Sequence, residues 1–365
     1  MNKSYNEHGD SALLKRLREL EAVELQSGKP QVGWIDRRTP IELIEAAGAM
    51  PIRLFPSNIH NEKLPGAVRS DACSFCSTLA SAFDVNHFPH LSAILTGSTC
   101  DQMRRMCEEV ARTTTIPMRL ISLPRTYRRS IDSYFLNQID STWHWIAEVL
   151  GVPVSEDSLA EAVETRNRLR VWVSELRREG WLSTRELHAL AGSVLNATGL
   201  LKLMDETIQT PEDRSGSIRL ALLGAVVGAP VLDIIEQSGG VVVYDGTNQG
   251  DSLFVEPASP QDTPIRMLYN YYGMESLEPA RRPVMPALYY LKKSALSYGA
   301  SGVILINPTH CHPWGLSAKI IKEFIGLPFL HLEEEYGSLA ISRLSTRIGA
   351  FTEMLSMKRT GNDNR

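Results

Sequence analysis

An apolar run, a glycine-containing loop, a helical segment and a second apolar run follow one another between Ile218 and Thr247. This order is that of a βαβ unit, in which a crossover helix brings two strands side by side in parallel. Residues 286–337 repeat the order as helix, strand, loop, helix and strand. The second half of the chain is therefore predicted to form a doubly wound parallel sheet.

A similar alternation in the first half predicts another α/β unit. Residues 91–97 (LSAILTG) are typical of a strand, residues 100–113 of the helix that follows it, and residues 116–124 of the next strand. Upstream, residues 40–47 are predicted to form a helix that ends at Gly48 and leads into a short strand.

Three long amphipathic segments separate these two units. Apolar residues recur at three- and four-residue spacing from about Tyr127 to Glu206, and Ser155 and Ser183 stand where helix N-caps are expected. The predicted fold class is α/β, with two doubly wound, Rossmann-like parallel-sheet domains and an intervening helical segment. The predicted divisions are an N-terminal helical leader, a first α/β domain, the helical segment, a second α/β domain and a disordered tail, at residues 1–38, 39–126, 127–210, 211–355 and 356–365.

The composition is that of an ordinary globular protein. Hydrophobic residues make up 43% of the chain, charged residues make up 22%, and the formal net charge is -4. Such a chain lacks the positive charge that attracts nucleic acids or anionic membranes. Its first residues lack the apolar core of a signal peptide, and no run of about 18 apolar residues occurs. We therefore expect a cytoplasmic protein with no nucleic-acid or membrane partner and with reduced cysteines.

Cysteines stand at equivalent places in the two predicted units. Cys100 follows the strand LSAILTG and Cys311 follows the predicted strand GVILIN, and each directly precedes a helix. Cys73 and Cys76 lie in a third loop, at the start of another helix. Ligands of open α/β sheets bind beyond the carboxyl ends of the strands, and helix N-termini favour the thiolate form of cysteine. If the two units face each other, these sulfurs are expected to converge on one site.

Thiolates are suitable ligands for an iron–sulfur cluster or for zinc, and three protein sulfurs would leave one metal position open. Packing is the alternative role for any single cysteine, because free cysteine is often buried. The equivalent placement of Cys100 and Cys311 favours ligation, whereas Cys107, two helical turns beyond Cys100, is predicted to face the core. The CxxC pair alone would suggest zinc or redox exchange, but no second CxxC is present.

Other features near these loops have two interpretations each. His310 and His312 flank Cys311 and could hydrogen-bond a sulfur or act as acid or base, or they could be ordinary loop histidines. Trp314 could form a wall of the cavity. The loop LLGAVVGAP could cradle a phosphate group of a ligand, but it lacks GxGxxG, and a plain strand-to-helix turn is the favoured interpretation.

Five segments occur in a fixed order from about Thr39 to Leu355: PIELIEAAGAMPIRL, SDACSFC, STCDQMRRMCEEV, GVILINPTHC and GLPFLHLEEEYGSLAISRLSTRIGAFTEML. Together they resemble the 2-hydroxyacyl-CoA dehydratase D-component family, to which benzoyl-CoA reductase subunits also belong. The resemblance implies a 4Fe-4S cluster held by Cys73, Cys100 and Cys311, with Cys76 as the alternative first ligand.

The resemblance also implies partners and an activity. The partners are a homologous second subunit, in a heterodimer or a homodimer, an ATP-hydrolysing iron–sulfur activator and an acyl-CoA substrate. The chain has no GxxxxGK[ST] motif, so ATP hydrolysis would belong to the activator. The implied activity is that of a lyase, the radical loss of water from a 2-hydroxyacyl-CoA after one-electron reduction. The alternatives are a benzoyl-CoA-type reductase, a non-catalytic iron–sulfur electron-transfer protein and a metal-free ligand-binding protein.

Glu42 matches a family position associated with the active site, where a carboxylate could take a proton or hold a hydroxyl group. The alternative is that it only interacts favourably with the helix dipole. One departure from the family pattern concerns His312, because many members carry an aspartate directly after the third cysteine. This departure leaves the substrate class open.

Overall fold

Two four-stranded sheets, all of whose strands run parallel, form the framework of the protein. The computed structural model describes residues 11–55, 71–126, 132–208, 216–257, 262–275, 278–337 and 340–363. The predicted α/β class, with two Rossmann-like parallel-sheet domains, is confirmed. In the described part of the chain, no helix is long and apolar enough to cross a membrane.

The first sheet has the strand order β2-β1-β3-β4. Its strands are β1 (Gln31–Trp34), β2 (Met50–Arg53), β3 (Leu91–Gly97) and β4 (Met118–Ile121). Its connecting helices are α2 (Glu42–Ala46), α3 (Ser74–Asp84) and α4 (Asp101–Thr113), and a further helix, α1 (Ala12–Glu24), precedes the sheet. The strand β3 spans the seven residues that the apolar run predicts, and α4 begins one residue after Cys100.

Between the two sheets, the described residues form four helices: α5 (Asp132–Leu150), α6 (Glu156–Glu179), α7 (Thr184–Gly192) and α8 (Ala197–Thr207). Ser155 and Ser183 cap α6 and α7 as the sequence predicts. The Ser183 hydroxyl accepts a hydrogen bond from the backbone N–H of Glu186, whose carboxylate accepts one from the N–H of Ser183. This reciprocal capping box satisfies backbone donors that the first helical turn leaves unpaired.

The second sheet has the order β6-β5-β7-β8. Its strands are β5 (Ile218–Gly224), β6 (Gly240–Asp245), β7 (Gly302–Pro308) and β8 (Phe329–Glu334). The remaining α-helices of the described residues are α9 (Pro230–Gln237), α10 (Pro264–Leu268), α11 (Met285–Ser297), α12 (His312–Gly315), α13 (Ala318–Ile325) and α14 (Ile341–Asp363), and a 3-10 helix (Asp251–Leu253) and a π-helix (Tyr269–Glu275) lie between α9 and α11. Gly224 has a φ of 142°, and a Cβ there would overlap the carbonyl oxygen of Ile306. Close strand packing therefore explains the first glycine of LLGAVVGAP without a phosphate.

Two segments differ from the predicted divisions. The strand β1 lies inside residues 1–38, which the sequence assigns to a helical leader, and it pairs with both β2 and β3. It has only four residues and contains Gly33, where a side chain would collide with Leu54. At the other end, α14 continues to Asp363 through residues predicted to be a disordered tail. Extending an existing helix is far easier than starting one, so no apolar pattern is needed there.

The two units pack against each other through a shared hydrophobic cluster. Ile35 and Leu54 of the first unit belong to it, as do Ala221 and Leu305 of the second. Direct hydrogen bonds join α3 to the second unit: the Ser74 N–H donates to the carbonyl of Thr309 at 3.0 Å. The Ser74 hydroxyl accepts from the N–H of Tyr336, also at 3.0 Å. These bonds bring the start of α3 to the carboxyl end of β7.

Candidate functional site

A cavity of about 70 Å³ lies between the two units, beyond the carboxyl ends of strands from both sheets. Its lining includes Cys73, Cys76, Cys100 and Cys311. Residues from far apart in the sequence therefore meet at one place, as the equivalent positions of Cys100 and Cys311 predict. The walls also contain large apolar side chains, among them Phe55, Met103, Val226 and Trp314.

Three of these cysteines occupy the same position relative to a helix. Cys73, Cys100 and Cys311 are the N-cap residues of α3, α4 and α12. The Cys100 sulfur accepts a hydrogen bond from the backbone N–H of Met103 at 3.4 Å. An N-cap side chain faces the unpaired N–H groups of the first turn, so a sulfur placed there is held in a partly positive environment.

The four thiols differ in how readily they ionise. Hydrogen bonds from the thiols of Cys311 and Cys76 hold the pKa of Cys73 well below its usual value, although burial opposes them. Burial raises the pKa of Cys100 to about 11, so this thiol is protonated at neutral pH unless a cation is bound. Thiolate ligation by Cys100 would therefore require proton release.

The cysteines of the cavity suit one kind of metal group better than another. A single tetrahedral ion needs thiolate sulfurs about 3.8 Å apart, from a metal–sulfur distance of about 2.3 Å. Across the described ranges, no three His, Cys, Asp or Glu side chains are arranged to hold a single metal ion. Instead, Cys73, Cys76, Cys100 and Cys311 surround a cavity. Four thiols that line one cavity, with no histidine among the lining residues, are the kind of donor set that iron–sulfur clusters use.

The fifth cysteine has a different environment. Cys107 lies in α4, is 4% exposed, and packs in the hydrophobic cluster with Met106 and Val110. It is absent from the cavity lining. Burial raises its pKa to about 12. The structure thus places Cys107 in the core, as the sequence predicts.

Two carboxylates in the cavity lining were not anticipated from the sequence. Asp36 follows β1 and accepts hydrogen bonds from the Gly97 N–H at 2.7 Å and the Thr96 hydroxyl at 2.8 Å. Burial raises the pKa of Asp36 despite these bonds. Glu278 forms an ion pair with Arg38, with 3.0 Å between oxygen and nitrogen. The sequence analysis does not predict β1. It therefore does not predict that Asp36 lies beyond the end of a strand, where ligands bind.

Glu42 is not among the residues that line the cavity. Its side chain is fully buried, 2.6 Å from the guanidinium of Arg170, and accepts a hydrogen bond from the Tyr272 hydroxyl at 2.8 Å. Burial would lower the pKa of Arg170, but the Glu42 charge outweighs it and the pKa is raised. The structure therefore places Glu42 in an ion pair between α2 and α6 and does not bring it to the cysteines.

The two histidines beside Cys311 also lie outside the cavity lining. His310 and His312 are exposed, and the N–H of His310 donates to the Glu333 carboxylate at 3.2 Å. The backbone turns sharply here, with a φ of 61° at His310, and α12 begins at His312. These neighbours therefore point away while Cys311 faces the cavity. Trp314, one turn further on, does line the cavity.

Two parallel-sheet units with a thiol-lined cavity between them define an α/β protein whose candidate site is shared by both halves of one chain. The chain belongs to the family described as 2-hydroxyglutaryl-CoA dehydratase, D-component, whose family model matches residues 38–355. The resemblance inferred from the motifs is thereby confirmed.

Two relatives align over nearly their whole length. One is "Putative dehydratase subunit YjiM" of Escherichia coli (strain K12), 23% identical over 90% of this chain and 92% of the relative. The other is the (R)-phenyllactyl-CoA dehydratase beta subunit of Clostridium sporogenes, 20% identical over 90% of this chain and 93% of the relative. Family membership and both names indicate a dehydratase subunit.

Proposed function

We propose that the chain is the iron–sulfur subunit of a 2-hydroxyacyl-CoA dehydratase. The observation that carries the proposal is the meeting of Cys73, Cys100 and Cys311, from both units, in one cavity of a member of this family. These cysteines would hold a 4Fe-4S cluster, whose role when bound is to store and pass one electron.

The reaction explains why one electron is needed. The β-hydrogen of a 2-hydroxyacyl thioester is not acidic, and the α-hydroxyl is a poor leaving group. One electron placed on the thioester carbonyl makes expulsion of the hydroxyl favourable and then makes the β-hydrogen acidic. The electron returns at the end, so the net reaction is loss of water alone.

The chain's own residues support this chemistry in three ways. The thiols supply the ligands once their protons are lost. The apolar walls, including Phe55 and Trp314, keep water away from a strongly reducing site. The N-cap position of Cys100 offers the Met103 N–H to its sulfur, and such hydrogen bonds tune the reduction potential.

The proposal includes partners. A second, homologous subunit is supported by the name of the C. sporogenes relative, which is a beta subunit. A separate ATP-hydrolysing activator would supply the electron, since the sequence has no Walker-type phosphate loop. The substrate would be an acyl-CoA and the location cytoplasmic.

The test is anaerobic coexpression of the chain with the products of its neighbouring genes. Iron, acid-labile sulfide and the electron paramagnetic resonance (EPR) spectrum are measured, followed by water loss from 2-hydroxyacyl-CoA thioesters with activator and ATP. We expect iron and sulfide in the wild type and in Cys107→Ala, and loss of both in Cys100→Ala. A colourless wild type without iron or sulfide would refute the proposal. Dearomatisation of benzoyl-CoA without dehydration would assign the reductase alternative instead.

A further inference from the structure

We propose that the exposed face of α11 and α13 is the docking surface for the second subunit of the enzyme, and that this subunit is a different chain with acidic side chains around an apolar centre. The inference rests on the proposed function, because a second subunit is part of that proposal. It adds the place of contact and the chemistry of the partner, neither of which family membership gives.

The two helices expose apolar side chains in two adjoining rows. These side chains are Met285, Tyr289 and Leu296 on α11, and Leu316 and Ile320 at the start of α13. Spacings of four and seven residues put each row on one face of its helix. The ring of Tyr289 packs edge to face on the ring of Phe324, one turn after Ile320, with 4.9 Å between the centroids. The rows therefore form one continuous surface, the α11/α13 face.

The α11/α13 face has the composition of a protein interface. It holds five of the thirteen large hydrophobic residues that are exposed in the described part of the chain. Exposed apolar residues that occur singly need no explanation, but a contiguous patch with a polar rim marks an interaction site. Tyrosine and methionine, both present here, are enriched at the centres of such sites. Leu316 is 83% exposed and makes the patch protrude into solvent.

Lysines form the rim of this face, although the whole chain has a formal net charge of -4. The lysines of the two helices are Lys292, Lys293, Lys319 and Lys322. Glu323 is the one acidic residue of α11 and α13. Lys292 donates to the carbonyl of Phe324 at 2.9 Å, and among the described residues no carboxylate forms an ion pair with the other three lysines. A partner with acidic side chains would supply the missing charges.

The same lysines argue against a second copy of this chain at this face. In a two-fold symmetric dimer the same surface lies on both sides of the contact. Two copies would therefore bring lysine rims together, and like charges at an interface oppose association. The charge pattern favours a heterodimer over the homodimer.

The face adjoins the candidate site through α12, which is a single turn. Cys311, its N-cap, and Trp314 line the cavity. Leu316 follows two residues after Trp314 and is exposed on the α11/α13 face. A subunit bound there would contact the helix that carries a cavity cysteine, so two chains would meet beside one reaction site.

The experiment coexpresses the full-length chain, anaerobically, with the product of the neighbouring gene that matches the same family model. Light scattering gives the molar mass of the complex, and analytical ultracentrifugation gives its dissociation constant. We expect one copy of each chain in the wild-type complex. Leu316→Glu should weaken it roughly 10- to 100-fold, because a carboxylate would be buried without a partner. Lys319→Glu should weaken it more at low salt than at high salt, because salt screens the lost attraction.

The matched control is Val23→Glu, which changes an apolar residue on α1 that is 69% exposed. It should leave the dissociation constant unchanged. Because Leu316 and Val23 are both largely exposed, neither substitution disturbs the core, and thermal unfolding of each variant checks this.

The outcomes separate the two proposals. Equal dissociation constants for wild type and Leu316→Glu would overturn the docking surface, whereas a wild type without iron or sulfide would overturn the proposed iron–sulfur function. A homodimer of the chain alone that Leu316→Glu dissociates would overturn the choice of a different chain as the partner. A wild type that forms no complex with the coexpressed chain, or that binds only the activator at this face, would also overturn the inference.

Discussion

The ion pair of Glu42 and Arg170 gives a sharp test of whether Glu42 has a structural or a catalytic role. Glu42 lies on α2 and Arg170 on α6, and both side chains are nearly inaccessible to solvent. The Tyr272 hydroxyl donates to Glu42 and accepts from Arg170 at 2.9 Å, so the three groups form a closed network. Glu42→Gln keeps the shape and the tyrosine contact but removes the negative charge.

The expected cost follows from burial. Removing one partner of a buried ion pair leaves an uncompensated charge and destabilises a protein by about 3–5 kcal/mol. For a unit of about 150–250 residues, in which 1 kcal/mol shifts the melting temperature by about 2–4 °C, such a loss lowers the melting temperature by roughly 6–20 °C. Replacing both partners removes the stranded charge, so Glu42→Gln with Arg170→Met is expected to be more stable than Glu42→Gln alone.

Thermal unfolding, iron content and dehydration rate are measured on the same anaerobic preparations. The structural role predicts a lower melting temperature with normal iron content and, below that temperature, a rate close to that of the wild type. The matched control is Glu45→Gln, which breaks the neighbouring buried pair of Glu45 with Arg166. A Glu42→Gln protein that melts like the wild type but loses most of its activity would refute the structural interpretation.

Other expected outcomes concern pH and backbone geometry. Burial acts to raise the pKa of Asp245, but His188 outweighs it and the pKa is lowered. The resulting stability is present above about pH 4 and is lost as the pH falls through the lower folded value, so His188→Gln should begin acid unfolding at higher pH. The pKa of Cys100 is raised to about 11, so cluster reconstitution in the apo chain should be more complete at pH 8.5 than at pH 6.5. Gly224→Ala should destabilise the chain by several kcal/mol, since a Cβ there meets backbone, whereas Gly48→Ala, in open space, should cost about 1–2 kcal/mol.

Three measurements check these outcomes. Circular dichroism against pH follows acid unfolding, and an unchanged midpoint in His188→Gln would contradict the role of that pair. Iron uptake at the two pH values reports on the thiols, and equal uptake would contradict a protonated Cys100. Denaturation in urea compares the two glycine variants, and equal losses of stability would contradict the close strand packing at Gly224.

Much of the fold could be predicted from the sequence, because long apolar runs indicate the strands β3, β5 and β7. The meeting of Cys100 and Cys311 could be predicted as well, because the carboxyl ends of parallel strands are where such sheets bind ligands. β1 could not, since four residues with a central glycine carry no recognisable period. Asp36 could not be predicted as a site residue either, because its position depends on recognising β1.

The remaining site residues depend on directions that sequence spacing does not contain. His310 and His312 flank a cavity cysteine, yet the turn at His310 directs both to solvent. Glu42 was assigned by its family position, and only tertiary packing reveals Arg170 as its partner. The choice between Cys73 and Cys76 as the first ligand stays a prediction, because both residues line the cavity.

The hydrogen bonds that join α3 to the loop after β7 hold Cys73 and Cys311 in the lining of a single cavity. Any group that bonds both sulfurs would act as a covalent cross-link closing a loop of roughly 240 residues, which chain-entropy arguments value at about 5 kcal/mol. Loss of that group would therefore lower the free energy of unfolding of the whole chain, and its effect would extend far beyond the few residues that contact the group.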